Sequence, residues 1–406
     1  MPAAPPGEQH PPPLSTTLRI VAALVLVGTA LRPQALIIGP LVGAVQADLG
    51  MSHGVAGLLS TIPVLAMGFL APLGPVLSGS VGPRMGTAIC VLFIAVFGVL
   101  RAFLPDTATV LLATVGVGVG MAVVGPILPS IVRQRLPNQP AAGTGAYVAG
   151  LVLGATATAA LAVPLADSLG GWRGSFAAIS AVAFVSLAAW LLLMPRDTEH
   201  VRAAPQRPNL PWRRPSGWLL GLIFGSQSIL FYGCITWLAS IYTERGWGEA
   251  EAGGLVALFT GIGIVPTLAV PLVADRIGTR RSQLAFAAVL SITGALVVAL
   301  LPNEPPGSLL TVGATLLLGL GIGAYFPLAL TLPVDVASDA ADAASISALM
   351  LLIGYLLAAT APVVLGFVRD AAGAFGPVTW ILVAVAVAQL PLALSLHPKR
   401  LAAAGG

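Results

Sequence analysis

Apolar residues run through this chain in stretches of about twenty or more, separated by short polar breaks. Twelve stretches can be marked, at residues 18–45, 54–77, 85–104, 108–132, 141–166, 174–195, 217–242, 250–274, 282–301, 308–333, 343–368 and 377–396. A helix rises about 1.5 Å per residue and a bilayer's hydrocarbon core is about 30 Å thick, so each stretch can cross, some with tilt. A helix also satisfies its own backbone polar groups where the solvent offers no partner. The pattern therefore predicts an all-α membrane protein of twelve transmembrane helices. The longest polar break, residues 196–216, divides them six and six. The expected organisation is a Pro-rich, disordered tail at 1–17, a six-helix half at 18–195, a cytoplasmic linker at 196–216, a second half at 217–396 and a short tail at 397–406. The first apolar run is too long for a cleavable signal and lacks a clear small-residue cleavage site, so it is expected to stay as the first span.

Composition agrees with the pattern. Charged residues make up 8% of the chain and hydrophobic ones 57%, whereas a soluble domain carries about 25% charged residues. The 47 Gly and 34 Pro lie within apolar runs, where membrane helices tolerate them. The net charge of +4 is a topology signal and points to no nucleic-acid partner. With the N-terminus inside, fourteen of the 19 Lys and Arg become cytoplasmic, Arg101, Arg173, Arg245 and Arg369 face out, and Arg32 lies within a span. That asymmetry follows the positive-inside rule, with both termini cytoplasmic and the inner (plasma) membrane as the expected location. Cys90 and Cys234 fall inside apolar spans and read as packing residues; no metal or cofactor framework is expected.

Arg32 is the exception to the pattern. It sits in Gly28-Thr-Ala-Leu-Arg32-Pro33-Gln34, near the middle of the first span. A guanidinium at that depth costs about 2.5–3.5 kcal/mol on insertion scales and cannot shed its proton. It could snorkel to an interface or bind backbone carbonyls, but its central position favours a water-lined cavity with an anionic or strongly polar ligand. Gly28, Thr29, Leu36, Gly39 and Gly43 share its helix face, a stripe that lets another helix or a cavity come close. Pro33 removes a backbone donor beside the charge. Gln34 points elsewhere and receives no role.

The two halves repeat. Asp48-Leu-Gly-Met-Ser-His-Gly-Val-Ala-Gly57 matches Glu244-Arg-Gly-Trp-Gly-Glu-Ala-Glu-Ala-Gly253 at a shift of 196 residues, which also aligns Pro75 with Pro271, Gly82 with Gly278 and Arg84 with Arg280. Further along, Gly116-Val-Gly-Val-Gly120 resembles Gly319-Leu-Gly-Ile-Gly323. Paired six-helix repeats with a site between them describe a secondary transporter.

Pro271-Leu-Val-Ala-Asp275-Arg276-Ile-Gly278-Thr-Arg280-Arg281 resembles the loop signature of the major facilitator superfamily. Finer details resemble its cyanate/2-nitroimidazole porter (CynX/NimT) branch: Leu31-Arg32-Pro33 with Gly39-Pro-Leu, Gly225-Ser-Gln227-Ser228-Ile-Leu-Phe-Tyr232, Trp237-Leu, Phe326-Pro-Leu-Ala-Leu-Thr331 and Gly354-Tyr355. The resemblance implies an inner-membrane carrier of small anions or small polar heterocycles. The first-half counterpart of the loop signature, Gly74-Pro-Val-Leu-Ser-Gly79-Ser-Val-Gly82-Pro-Arg84, departs from the pattern: Gly79 stands where the second half has Asp275.

The 196 shift carries Arg32 onto Ser228, beside Gln227 and one turn from Tyr232. The expected substrate site is Arg32 with Gln227, Ser228 and Tyr232, completed by Tyr147, Tyr325 and Tyr355. Ordinary packing is the alternative for each tyrosine, and Trp237 reads as an interfacial anchor. The expected gate uses Asp275, Arg276, Gly278 and Arg280 in the loop signature, with Arg133 and Arg135 opposite Asp275. Arg84 would face Asp339 and Asp342, replacing the missing acid with a pairing of reversed polarity. All 15 Asp and Glu, and the four His, fall outside the apolar cores, which leaves Arg32 as the ionisable core group besides tyrosine and cysteine. Proton-driven carriers usually need a titratable group in the membrane, so uniport, exchange or co-transfer of a substrate's own proton is expected, with Asp335 or Asp48 as weaker proton carriers. No enzymatic constellation lies at membrane depth. The rival reading is an exporter of neutral or anionic toxic compounds. The partners expected are the small-molecule substrate and the lipid bilayer, with the protein acting as a monomer.

Overall fold

The computed structural model of the protein describes residues 14–197, 210–273, 279–302 and 304–396. Among those residues all regular secondary structure is helical, with twelve spans long and apolar enough to cross a membrane. The first span is broken into α1 (Leu14–Leu31), α2 (Pro33–Leu36) and α3 (Ile38–Leu49). The second is α4 (His53–Leu70) with α5 (Leu73–Val81), and spans three to six are α6 (Pro83–Phe103), α7 (Thr107–Arg135), α8 (Pro140–Ser168) and α9 (Trp172–Leu193). The second half begins with α10 (Pro215–Glu244); its second span is α11 (Glu249–Ile262) with α12 (Ile264–Val273). Then come α13 (Arg280–Leu300), α14 (Leu309–Val336), α15 (Ala340–Ala372) and α16 (Gly376–Leu394).

An even number of crossings brings the described ends of the two halves to one side, here called the linker side. The opposite, far side is where the halves close on each other. Gly39 of α3 lies against the Ile235 carbonyl of α10, and Gly57 of α4 against the Pro362 carbonyl of α15, each with no room for a Cβ. Thr61 Oγ1 donates to the Ala359 carbonyl at 2.7 Å across the same seam. In a bilayer no hydrophobic force drives helices together, so such small-residue contacts and interhelical hydrogen bonds carry the association.

The repeat is visible in packing and corrects one register. Gly118 packs on Pro63 of α4 as Gly319 packs on Phe259 and Ile262 of α11; Gly120 packs on α6 as Gly321 packs on α13. These pairs place Gly118 opposite Gly319, one alternate residue away from the alignment of Gly116 with Gly319. A glycine-every-second-residue motif matches itself at two registers, and only the helices it touches distinguish them.

Candidate functional site

The break in span one builds the site. Pro33 supplies no N–H, so the helix stops at Leu31 and restarts with Arg32 as the capping residue of α2. The Arg32 carbonyl takes the N–H groups of Ala35 at 3.0 Å and Leu36 at 3.3 Å. Behind the break, Gly28 and Gly150 bring α1 and α8 into backbone contact, with Gly28 against the Tyr147 carbonyl. Gly39 does the same toward α10, whereas a Cβ at Gly43 would meet nothing within 4 Å, so no close approach requires a glycine there.

Arg32 then faces a cavity of about 300 Å³ between the halves. Six residues expected from the sequence line it: Arg32, Tyr147, Gln227, Ser228, Tyr232 and Tyr355. The Arg32 guanidinium carbon stands 5.6 Å from the centroid of the Phe231 ring, a cation–π distance. Among the described residues it forms no ion pair, and no acidic or histidine side chain lines the cavity. Ser228 Oγ donates to Gln227 Oε1 at 3.1 Å, and Gln227 Nε2 reaches the Ile322 carbonyl at 3.5 Å. The Tyr232 hydroxyl touches the Met67 sulfur at 3.9 Å. Phe224, Phe231, Phe259 and Phe326 supply flat apolar walls that sequence reasoning did not single out, because a Phe in an apolar span carries no signal of which way it faces.

Tyr325 is not in this group. It is fully buried, and its hydroxyl lies 3.4 Å from the Gln389 carbonyl of α16. It packs in the second half's own core, among Leu220, Phe224 and Leu328. Trp237 is also displaced from the expected interfacial role: it is fully buried, donates Nε1 to the Pro362 carbonyl at 2.8 Å, and stacks on His53 of the other half.

The linker-side charges pair differently from expectation. Arg84 does not meet Asp339 or Asp342. Its backbone N–H donates to Asp197 Oδ2 at 3.0 Å, and its guanidinium caps the end of α9 on the Leu191 and Met194 carbonyls. Arg135 pairs with the same Asp197 at 2.8 Å. The acid that position 79 lacks is thus matched by Asp197, from just beyond α9. Asp342 pairs with Arg214 at 2.6 Å, Asp339 caps α15, and Arg280 pairs with Asp335 at 3.3 Å within the second half. Arg133 is exposed, and Asp275, Arg276 and Gly278 lie outside the described residues. Asp48 is held by Arg173 at 3.0 Å and by Trp172 at 3.1 Å.

One further correction concerns Arg101. It does not face out as a loop charge: it is 0% exposed, in the last turn of α6. Arg32 is therefore not alone as a charged group inside the apolar spans.

The Major Facilitator Superfamily profile matches residues 20–362. The chain is 32% identical to the cyanate transport protein CynX of Escherichia coli (strain K12) over 354 residues, covering 87% of this chain and 91% of that one. It is 30% identical to the 2-nitroimidazole transporter of the same organism over 382 residues, 93% of each chain. Among solved structures, a D-xylose-proton symporter superposes with a TM-score of 0.77 at 14% identity, covering 94% of this chain and 98% of that one; this likeness is one of fold.

Proposed function

The chain belongs to the major facilitator superfamily and is a multi-pass membrane transporter, not an enzyme; from that premise we propose that it moves a small anionic or electron-rich polar solute across the plasma membrane by alternating access, with Arg32 as its ligand at mid-span. The observation that carries this reading is the Arg32 guanidinium, open to the inter-half cavity with no acidic partner among the described residues. A cation left without a carboxylate favours a ligand that supplies the negative or electron-rich end, bound through paired N–H donors. Gln227 and Ser228 add hydrogen-bonding groups on the facing wall. The four phenyl walls suit a flat, unsaturated solute, so a nitroimidazole-like heterocycle or small aromatic acid fits the lining better than a bare cyanate-like anion. The same lining also favours the second reading, export of neutral or anionic toxic compounds.

The cavity lies on the linker side of a closed far side. By the positive-inside rule the linker side is cytoplasmic, which makes this the inward-open state. Removing Arg101 from the outward-facing charges strengthens that orientation.

Transport by the purified protein in proteoliposomes tests the proposal, with cyanate, 2-nitroimidazole and small carboxylic acids as the panel. Arg32→Leu is expected to abolish uptake of whichever solute is carried. Arg32→Lys is expected to retain part of it, because a lysine keeps the charge and loses the planar fork. Undiminished transport by a correctly inserted Arg32→Leu protein would overturn the assignment.

A further inference from the structure

Arg101 occupies a place that packing alone does not explain. It is completely buried in α6, and no acidic side chain pairs with it among the described residues. Its Nη2 donates both to the Gln34 carbonyl, at 3.2 Å, and to Gln34 Oε1. Its guanidinium carbon stands 5.1 Å from the Phe176 ring centroid. Its Nε and Nη1 find no acceptor among the described residues. A buried cation so placed is costly, and an apolar side chain of similar volume is often neutral or stabilising by comparison. A residue that costs stability calls for a role in what the site does.

The geometry points to one. Gln34 lies in α2, the single turn between the two breaks in span one, two residues past Arg32. The backbone bonds across the break run from Ala35 and Leu36 to the Arg32 carbonyl and from Ile37 to that of Pro33; the Gln34 carbonyl is met by Arg101. The Gln34 side chain is itself 1% exposed, and its Nε2 donates to Ser180 Oγ at 2.9 Å, which donates on to the Phe176 carbonyl at 2.6 Å. Gly98, one turn before Arg101, leaves the space: a Cβ there would meet Ser180 Oγ at 2.7 Å and the Gln34 side chain at 2.9 Å. Three spans thus converge on one glutamine, and that glutamine belongs to the turn that orients Arg32.

We infer that Arg101 is a positioning residue for the substrate site: through Gln34 it holds the broken turn of span one so that Arg32 points into the cavity. This rests on the proposed role of Arg32 for its functional consequence, and its geometric claim can be read without any substrate. Pro33 keeps the helix broken in either case, but freed from the clamp the short α2 turn could swing between its two breaks and carry position 32 away from the cavity wall.

The test uses thiol labelling of the purified full-length protein in detergent with a small charged methanethiosulfonate. The native Cys90 and Cys234 are buried, at 3% and 1% exposure, and give a low background. Arg32→Cys should label readily, and adding Arg101→Gln or Gln34→Leu should slow that labelling at least about tenfold. Arg101→Lys should give an intermediate rate. Leu330→Cys, which lines the cavity from the second half and is 38% exposed, should label at one rate with or without either change, which separates a local turn from general unfolding. In proteoliposomes Arg101→Gln should raise KM for the carried solute more than it lowers the maximal rate. Equal labelling of position 32 with and without Arg101, or parallel loss at positions 32 and 330 in both Arg101→Gln and Gln34→Leu, would overturn the inference. Normal transport by Arg32→Leu together with clamp-dependent labelling would instead remove the ligand reading and leave the positioning claim standing.

Discussion

Asp370 caps a helix of the other half through His53. Its carboxylate, near the end of α15, accepts the His53 N–H at 3.0 Å and the Gly54 N–H at 2.8 Å, and the His53 ring nitrogen Nδ1 lies 2.7 Å from the same oxygen that meets the His53 N–H. The start of α4 therefore has two of its orphan donors satisfied from across the seam, by a charge that suits a helix N-terminus. The His53 ring packs on Trp237 and Phe375, with centroids 5.8 and 5.7 Å away. Every one of these contacts must part for the far side to open.

Asp370→Ala is accordingly expected to shift the protein toward the state open on the far side. Bonds to a charged group are worth more than neutral ones, but this pair is partly solvated, so a net effect of about 1 kcal/mol, roughly fivefold in population, is expected. Spin-label distances between the far ends of α4 and α15 measure it. An unchanged distance distribution would show that the small-residue seam holds the far side without the latch.

Gln227 and Tyr325 should separate cleanly in transport. Gln227→Leu removes hydrogen-bonding groups from the cavity wall opposite Arg32, and KM is expected to rise by about tenfold or more. Tyr325→Phe removes a hydroxyl that bonds inside the second half's core, to the Gln389 carbonyl and the Ser226 side chain, so its effect should be confined to stability, about 1 kcal/mol, with KM unchanged. Uptake kinetics and thermal melting of both variants check the contrast; an equal rise in KM for Tyr325→Phe would put that residue back in the site.

The two arginines show what the sequence could and could not disclose. Arg32 was legible because it stands at the centre of an apolar run, where any charge is expensive. Arg101 was not, because it sits at the end of one, beside Leu104-Pro105-Asp106, where a loop charge looks the same. Gln34 was passed over for a related reason: its partners, Arg101 and Ser180, come from spans three and six, and no local periodicity brings them together. The twelve spans and the half-to-half repeat depend on hydropathy and short-range pattern, so they could be read. The identity of the linker-side acid depended on tertiary contact, and Asp197 lay in a stretch that read only as connecting chain.

That acid supports another prediction. Arg135 and Asp197 are both well buried for charged groups, with side-chain exposures of 19% and 16%. Reversing either alone leaves like charges facing each other, which is expected to cost transport. Reversing both, as Arg135→Asp with Asp197→Arg, restores the pairing but removes the carboxylate that accepts the Arg84 backbone N–H, so partial recovery is expected. Expression-corrected uptake by the two single variants and the double variant decides it, and a double variant no better than either single one would argue against the pair.

The absence of any carboxylate or imidazole from the described cavity lining bears on what drives transport. If the solute crosses as a monovalent anion and no side chain in the cavity exchanges a proton with it, each cycle moves one net charge. Moving one charge through 100 mV is worth about 2.3 kcal/mol, which is roughly fiftyfold in the accumulation ratio. Uptake into proteoliposomes should therefore respond to an imposed potassium-diffusion potential, favoured when the lumen is positive, and should not respond to a pH gradient imposed at zero potential. A solute carried as the neutral acid gives the opposite result, sensitive to the pH gradient and indifferent to potential. Dependence on both would require a titratable group that moves with the cycle. Asp370, which bridges the two halves at the far side by accepting the His53 and Gly54 N–H groups, is the candidate for that group. In that case Asp370→Asn should remove the pH response and leave the response to potential intact.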